Sequence, residues 1–178
     1  KENVINATIG ALLDDNGDLI VLSSMVDVLN HMEPSQFAEY APIAGTPDFL
    51  SIIKTAAFGN YVPEGYIEAC ATPGGTGSIR NTISCYSKPG DKVLTSNWYW
   101  SPYRTIATEI GRDIATYKMF DENDEFNFKD FEDKINELLD AQGSLVVIFN
   151  APAHNPTGYT PSDETWDKII EIIKRCAK

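Results

Sequence analysis

The chain has 178 residues, 43% of them hydrophobic, which is ordinary for a globular protein and long enough to bury a sizeable core. A formal net charge of −12 opposes binding to nucleic-acid phosphates or anionic lipid; no run is apolar enough for a membrane span, and the start lacks a signal-peptide pattern. Cys70, Cys85 and Cys176 are odd in number and, with His31 and His154, show neither disulfide nor metal spacing, so they read as structural residues of a reducing, cytoplasmic protein without a metal.

In chain order, residues 1–22 read as an N-terminal arm with a turn at AspAspAsnGlyAsp (14–18), and Ser23 or Ser24 is placed to cap a helix reaching about Glu33. Thr46, Pro47 and Asp48 open a second helix, with Phe49, Ile52, Ile53, Ala56 and Ala57 recurring on one face until Gly59. From there strands and helices alternate: strand 67–72, helix 76–87, strand 92–95, helix 102–110, strand 114–118, helix 128–140, strand 144–149, helix 162–176. This order predicts βαβ crossovers and a three-layer α/β/α domain over 23–178 with a largely parallel sheet. LeuValValIlePhe (145–149) reads as its fully buried central strand, and Gly90 is placed for a left-handed turn. The acidic stretch 121–125 reads as a solvated loop. Lys1 in place of Met, and a helical pattern running into Lys178, read as cut ends of a longer protein.

Two strand-to-helix loops carry the chemistry. ProGlyGlyThrGly (73–77) lets the backbone amides of Gly74 and Gly75 approach an anion at a helix N-terminus, and Thr76 adds a hydroxyl. A tight turn without a ligand is the other reading of that loop. A dinucleotide fingerprint fits poorly, because Arg80 stands at the third position and the next strand ends ThrSerAsn (95–97) without an acid; a P-loop would need a Lys. The aromatics of TrpTyrTrpSerProTyr (98–103) follow a strand and either seal a core or stack on a planar ligand. In AlaHisAsnProThrGly (153–158), Pro156 restricts Asn155, whose neutral amide either caps the turn or donates to a phenolate-like oxygen. The Asn155–Pro156 bond is expected to be cis.

Together these residues resemble the aspartate and aromatic aminotransferases, the class I/II group of fold type I pyridoxal-phosphate enzymes. The match runs through Ile9–Gly10, AspAspAsnGly, GluTyrAlaProIleAlaGly (39–45), ProGlyGlyThrGlySerIleArg (73–80), Trp100 and HisAsnProThrGly (154–158), in order and spacing. The resemblance implies the first part of the large cofactor-binding domain and pyridoxal 5′-phosphate as cofactor. It implies that Gly74, Gly75 and Thr76 hold the phosphate and that Trp100, chosen over Trp98 for its distance to Gly111, stacks on the pyridine ring. Asn155 would donate to the ring's 3′ oxygen and help fix a substrate carboxylate, and Gly10 would line the substrate pocket. Tyr40 would reach the phosphate of the neighbouring subunit of a homodimer. Tyr103 stands where aspartate aminotransferases have His supporting the Asp at the pyridine nitrogen, and a phenol makes a similar hydrogen bond.

The family's Schiff-base Lys, pyridine Asp, a second oxygen-binding Tyr and carboxylate Arg follow AsnProThrGly by more residues than come after Gly158. The resemblance therefore implies the N-terminal portion, inactive alone, of an enzyme moving an amino group between an amino acid and a 2-oxo acid. Alternatives are a related lyase or decarboxylase, and a cofactor-binding regulatory domain joined to a DNA-binding module. These residues do not separate aspartate from aromatic substrates.

Overall fold

The computed structural model describes residues 10–177; the first nine positions of the predicted arm, Ile9 of the opening motif and Lys178 lie outside the described residues. The chain divides into two compact units, one ending at Ala71 and one beginning at Thr72.

The first unit holds α1 (Ser23–His31), α2 (Pro34–Ala38) and α3 (Pro47–Phe58). Helix α3 starts as its sequence predicts, with Pro47 in the first turn and the Thr46 side chain accepting from the Phe49 N–H at 3.4 Å. Helix α1 does not: Leu22 sits at the cap without a side-chain bond and Ser23 is already helical. Helix α2 was not legible, being a five-residue turn closed by a capping box between Glu33 and Gln36. The apolar face of α3 is present but uncovered, since Phe49, Ile52 and Ile53 are all exposed and no described residue of this unit is buried. The predicted strand 67–72 is absent. Its backbone bonds are Ala71 N–H to the Ala44 carbonyl and Gly74 N–H to the Thr72 carbonyl, both at 2.7 Å, and an extended segment without a neighbouring strand has no ladder to join.

The second unit is the α/β part. It runs α4 (Gly74–Tyr86), β1 (Lys92–Ser96), α5 (Pro102–Glu109), β2 (Asp113–Tyr117), α6 (Phe128–Gln142) and α7 (Asp163–Cys176). Strands β1 and β2 pair in parallel, Lys92 opposite Asp113 through Ser96 opposite Tyr117. The predicted strand 144–149 reaches the sheet at one rung only, as a third segment: Leu94 N–H donates to the Val146 carbonyl at 2.9 Å and Ile148 N–H to the Leu94 carbonyl at 2.8 Å. This makes β1 the middle of three parallel segments. The expectation that 145–149 is fully buried is corrected, because only Val146 is buried and the other four are half-buried. Pairing covers one edge of the segment and no described residue covers the other.

Side chains along each segment alternate between two cores, as a pleat requires. Val93, Ile114 and Val146 pack with Ile83 of α4 and Tyr103, Ile106 and Ala107 of α5. Leu94, Tyr117, Val147 and Phe149 turn the other way, onto Phe131, Ile135 and Leu138 of α6 and Ile169 and Ile172 of α7. Helices therefore cover both faces, which is the predicted α/β/α layering around a small parallel sheet. Asn127 and Ser162 cap α6 and α7 through their side chains. Gly90 takes φ 93° as predicted. Cys70 and Cys85 are exposed and Cys176 half-buried, and all three are free. Among the described residues no helix is long and apolar enough to cross a membrane.

Candidate functional site

Helix α4 runs antiparallel to the strands. The Arg112 guanidinium, one residue ahead of β2, donates to the carbonyls of Ser87 at 2.6 Å and Ser84 at 3.3 Å, tying the last turn of α4 to the amino end of the sheet. Thirteen residues of helix span about 20 Å, so the first turn of α4 lies toward the carboxyl ends of the strands. Ser78 and Ile79 accordingly share a cleft with Ile148 and Phe149, at the far end of the third segment.

That first turn is left open. Its cap, Pro73, offers no side-chain acceptor and the turn contains no acid; the Gly74 N–H is taken by the Thr72 carbonyl at 2.7 Å. Among the described residues, the Gly75 and Thr76 amides have no acceptor. Gly74 takes φ 65°, where a side chain is strained, and a Cβ at Gly74 or Gly75 would meet nothing within 4 Å. Gly77 is glycine for a different reason: a Cβ there would sit 2.6 Å from the Pro73 ring. The loop thus leaves the Gly75 and Thr76 amides without an acceptor among the described residues, and Gly77 belongs to its packing.

The aromatic loop and the Asn-Pro turn meet at the same end of the sheet. Asn97 N–H donates to the Tyr117 carbonyl at 2.7 Å, and Asn97 Oδ1 accepts from Met119 N–H at 2.8 Å, lacing the ends of β1 and β2. Tyr103 is buried and Trp98 is 52% exposed, so the aromatic segment divides its work between sealing the core and facing outward. Trp100 stands 36% exposed, its ring 5.7 Å from that of Tyr103 with the planes at 85°. Burial pushes the Tyr103 phenol above its usual pKa, and a hydrogen bond with the Asn150 side chain pulls the other way. Trp98, Pro156 and Thr157 line an open cleft of about 500 Å³ with Phe120 and Lys118.

Both Ala151–Pro152 and Asn155–Pro156 are cis, the second as expected. Asn150 Oδ1 accepts from Asn155 N–H at 2.7 Å, while the Asn155 side chain stays exposed. The residue that sequence reasoning passed over is His154. It is 5% exposed, its Nε2 3.3 Å from Ser96 Oγ and its Nδ1 2.9 Å from Thr157 Oγ1. Its position directly after a strand and before Asn-Pro was the available signal. Gly10 and Tyr40 belong to the first unit, where both are exposed, and Tyr40 shares a shallow cleft with Gln36, Pro42 and Thr46.

Burial lowers the His154 pKa below the usual 6.5, a hydrogen bond at the Trp98 carbonyl opposing it. The unfolded chain therefore binds a proton that the folded chain refuses: the contribution of His154 to stability is whole above about pH 6.5 and is lost as the pH falls through the depressed value. His154→Gln should show a smaller fall in urea midpoint between about pH 7.5 and about pH 5.5 than the unsubstituted chain does. Equal falls would show that the ring titrates freely.

Comparison with known proteins follows the same lines. The profile of the family described as aminotransferase class I and II matches residues 2–177. Aspartate aminotransferase of Escherichia coli (strain K12) is 29% identical over 174 residues, covering 94% of this chain and 43% of that protein. The crystal structure of an aminotransferase from Anaerococcus prevotii superposes with a TM-score of 0.94 at 44% identity, over 99% of this chain and 43% of that one. An aromatic amino acid aminotransferase from Burkholderia cenocepacia shares the fold, with a TM-score of 0.78 at 24% identity, over 98% of this chain and 45% of that one. The chain spans less than half the length of these relatives.

Proposed function

The chain belongs to the aminotransferase class I and II family, and on that premise we propose that it works as part of an enzyme moving an amino group between an amino acid, of aspartate or aromatic type, and a 2-oxo acid. We assign it pyridoxal 5′-phosphate as cofactor. The observation that carries the reading is the convergence of an uncapped helix N-terminus, a partly exposed indole and an exposed carboxamide on the carboxyl edge of one parallel sheet.

The residues present suit such a group. The amides of Gly75 and Thr76, without an acceptor among the described residues, and the open space over Gly74 and Gly75 match a phosphate that needs donors and close approach. In this reading Gly74, Gly75 and the Thr76 hydroxyl hold the phosphate, and Trp100 offers its indole to the pyridine ring. Asn155 donates to the ring oxygen without adding charge and helps seat the substrate carboxylate. Tyr103, buried beside Trp100, stands where the family's aspartate branch uses His to support the group at the pyridine nitrogen. Gly10 lines the substrate pocket, and Tyr40 reaches the phosphate of a second subunit, which makes the working form a homodimer; the 90% exposure of Tyr40 supports that role. When bound, the cofactor serves as the electron sink for the carbanion chemistry.

Residues 1–22 are assigned to the arm and 23–178 to the first part of the large domain. The Lys that would move the proton is assigned to polypeptide outside these 178 residues. Three free cysteines support a reducing, cytoplasmic setting. The test is made on the complete polypeptide: added pyridoxal 5′-phosphate should give a protein-bound absorption band and amino transfer from aspartate or an aromatic amino acid to a 2-oxo acid. The 178-residue chain alone should show no turnover. Ammonia release without a 2-oxo acid would overturn the assignment.

A further inference from the structure

Resting on the cofactor reading above, we propose that His154 is the positioning residue for the Asn155 carboxamide, pinning the turn that carries it to the end of β1 through Ser96 and Thr157. Residues 155–158 are all exposed, so side-chain packing does not hold this turn in place. His154 is its one buried member, and it sits between two hydroxyls on different segments.

With the ring neutral, the hydrogen bonds around it run in one direction. Ser96 Oγ donates to the Trp98 carbonyl, so its lone pairs face the ring and His154 Nε2–H donates to it. Thr157 Oγ1 accepts from Tyr159 N–H at 3.2 Å, which leaves its proton for His154 Nδ1. The chain of donors thus runs from Tyr159 through Thr157, His154 and Ser96 to Trp98, every proton used once. It joins the turn bearing Asn155 to the loop bearing Trp100. The backbone repeats the link locally, with His154 N–H on the Tyr159 carbonyl at 2.8 Å and Gly158 N–H on the His154 carbonyl at 2.6 Å. Without the ring, the turn keeps those local bonds but loses its attachment to the strand. The carboxamide then still exists and points less reproducibly.

The test uses the complete polypeptide and the dissociation constant of pyridoxal 5′-phosphate, read by absorbance titration, for the unsubstituted protein, His154→Ala, Asn155→Ala and the double variant. Each single change should weaken binding about tenfold, and the double variant should be no weaker than Asn155→Ala, because both act through one carboxamide. Singles that multiply to about a hundredfold in the double variant, or an unchanged His154→Ala, would overturn the proposal. If His154→Ala does not fold, Thr157→Val at the exposed turn breaks the same chain. A severalfold loss that vanishes in the Asn155→Ala background then supports the proposal, and an unchanged constant refutes it. An unsubstituted protein that takes up no cofactor would overturn the functional reading itself, and this inference with it.

Discussion

Gly75→Asp is expected to make the fold slightly more stable while weakening uptake of pyridoxal 5′-phosphate by the complete polypeptide about a hundredfold. Gly75 is the second residue of α4, its φ is not positive, and a Cβ there meets nothing within 4 Å, so the side chain enters without strain. A carboxylate in the first turn of a helix that has no acid there gains about 0.3–1 kcal/mol from the helix dipole, and losing a helical glycine adds a similar amount. The same carboxylate takes the unpaired N–H groups and repels an anion arriving at them. Replacing one charge-assisted hydrogen bond by repulsion is worth about 3 kcal/mol, or two powers of ten. Urea unfolding and a cofactor titration on the same protein read the two effects. Opposite signs support the cradle, and undiminished uptake would move the phosphate elsewhere.

Phe131→Ala should cost about 3–5 kcal/mol, a large part of the stability of a domain that typically has only about 5–15. Phe131 is fully buried on α6, with ring centroids 5.0 Å from Tyr117, 5.7 Å from Phe126 and 6.3 Å from Phe149. It joins the end of β2, the turn closed by the antiparallel bridge between Phe120 and Phe126 before α6, and the third parallel segment, so truncation leaves a void bounded by three elements that cannot all close on it. The urea midpoint should fall steeply and near-UV dichroism from the aromatic cluster should collapse. Ile170→Ala on the exposed side of α7 is the matched control, expected within about 0.5 kcal/mol. Comparable losses in the two variants would mean that the aromatic cluster is not where the stability lies.

What could be read from the residues alone follows how local the signal was. Helix α3 was legible because the start at Thr46 and a 3.6-residue apolar repeat occur together, and α6 and α7 were placed to within two residues of their ends, with Asn127 and Ser162 turning out to be their caps. Strands β1 and β2 were legible from short apolar runs flanked by turns. The segments 67–72 and 145–149 were misjudged because a strand is defined by its neighbours, which no window of its own residues contains. The α3 face illustrates the same limit: periodicity shows which side is apolar, not whether anything lies on it. At the site, turn chemistry pointed to Gly74 and Gly75, and the roles proposed for Trp100 and Asn155 came with the family resemblance. His154 was missed because its importance arises from Ser96, 58 positions earlier, reached only after folding.

The alternation along β1 has a consequence for how this protein tolerates change. Adjacent residues Val93 and Leu94 serve opposite interiors, and their neighbours in β2 and the third segment do the same. Inserting or deleting one residue within β1 would exchange the two interiors' allegiances along the whole strand and rotate Ser96 away from the imidazole it anchors. Length variation is therefore free to accumulate in solvent-facing connections such as 121–125, while the short run from Lys92 to Ser96 is held to its present phase by both sides at once.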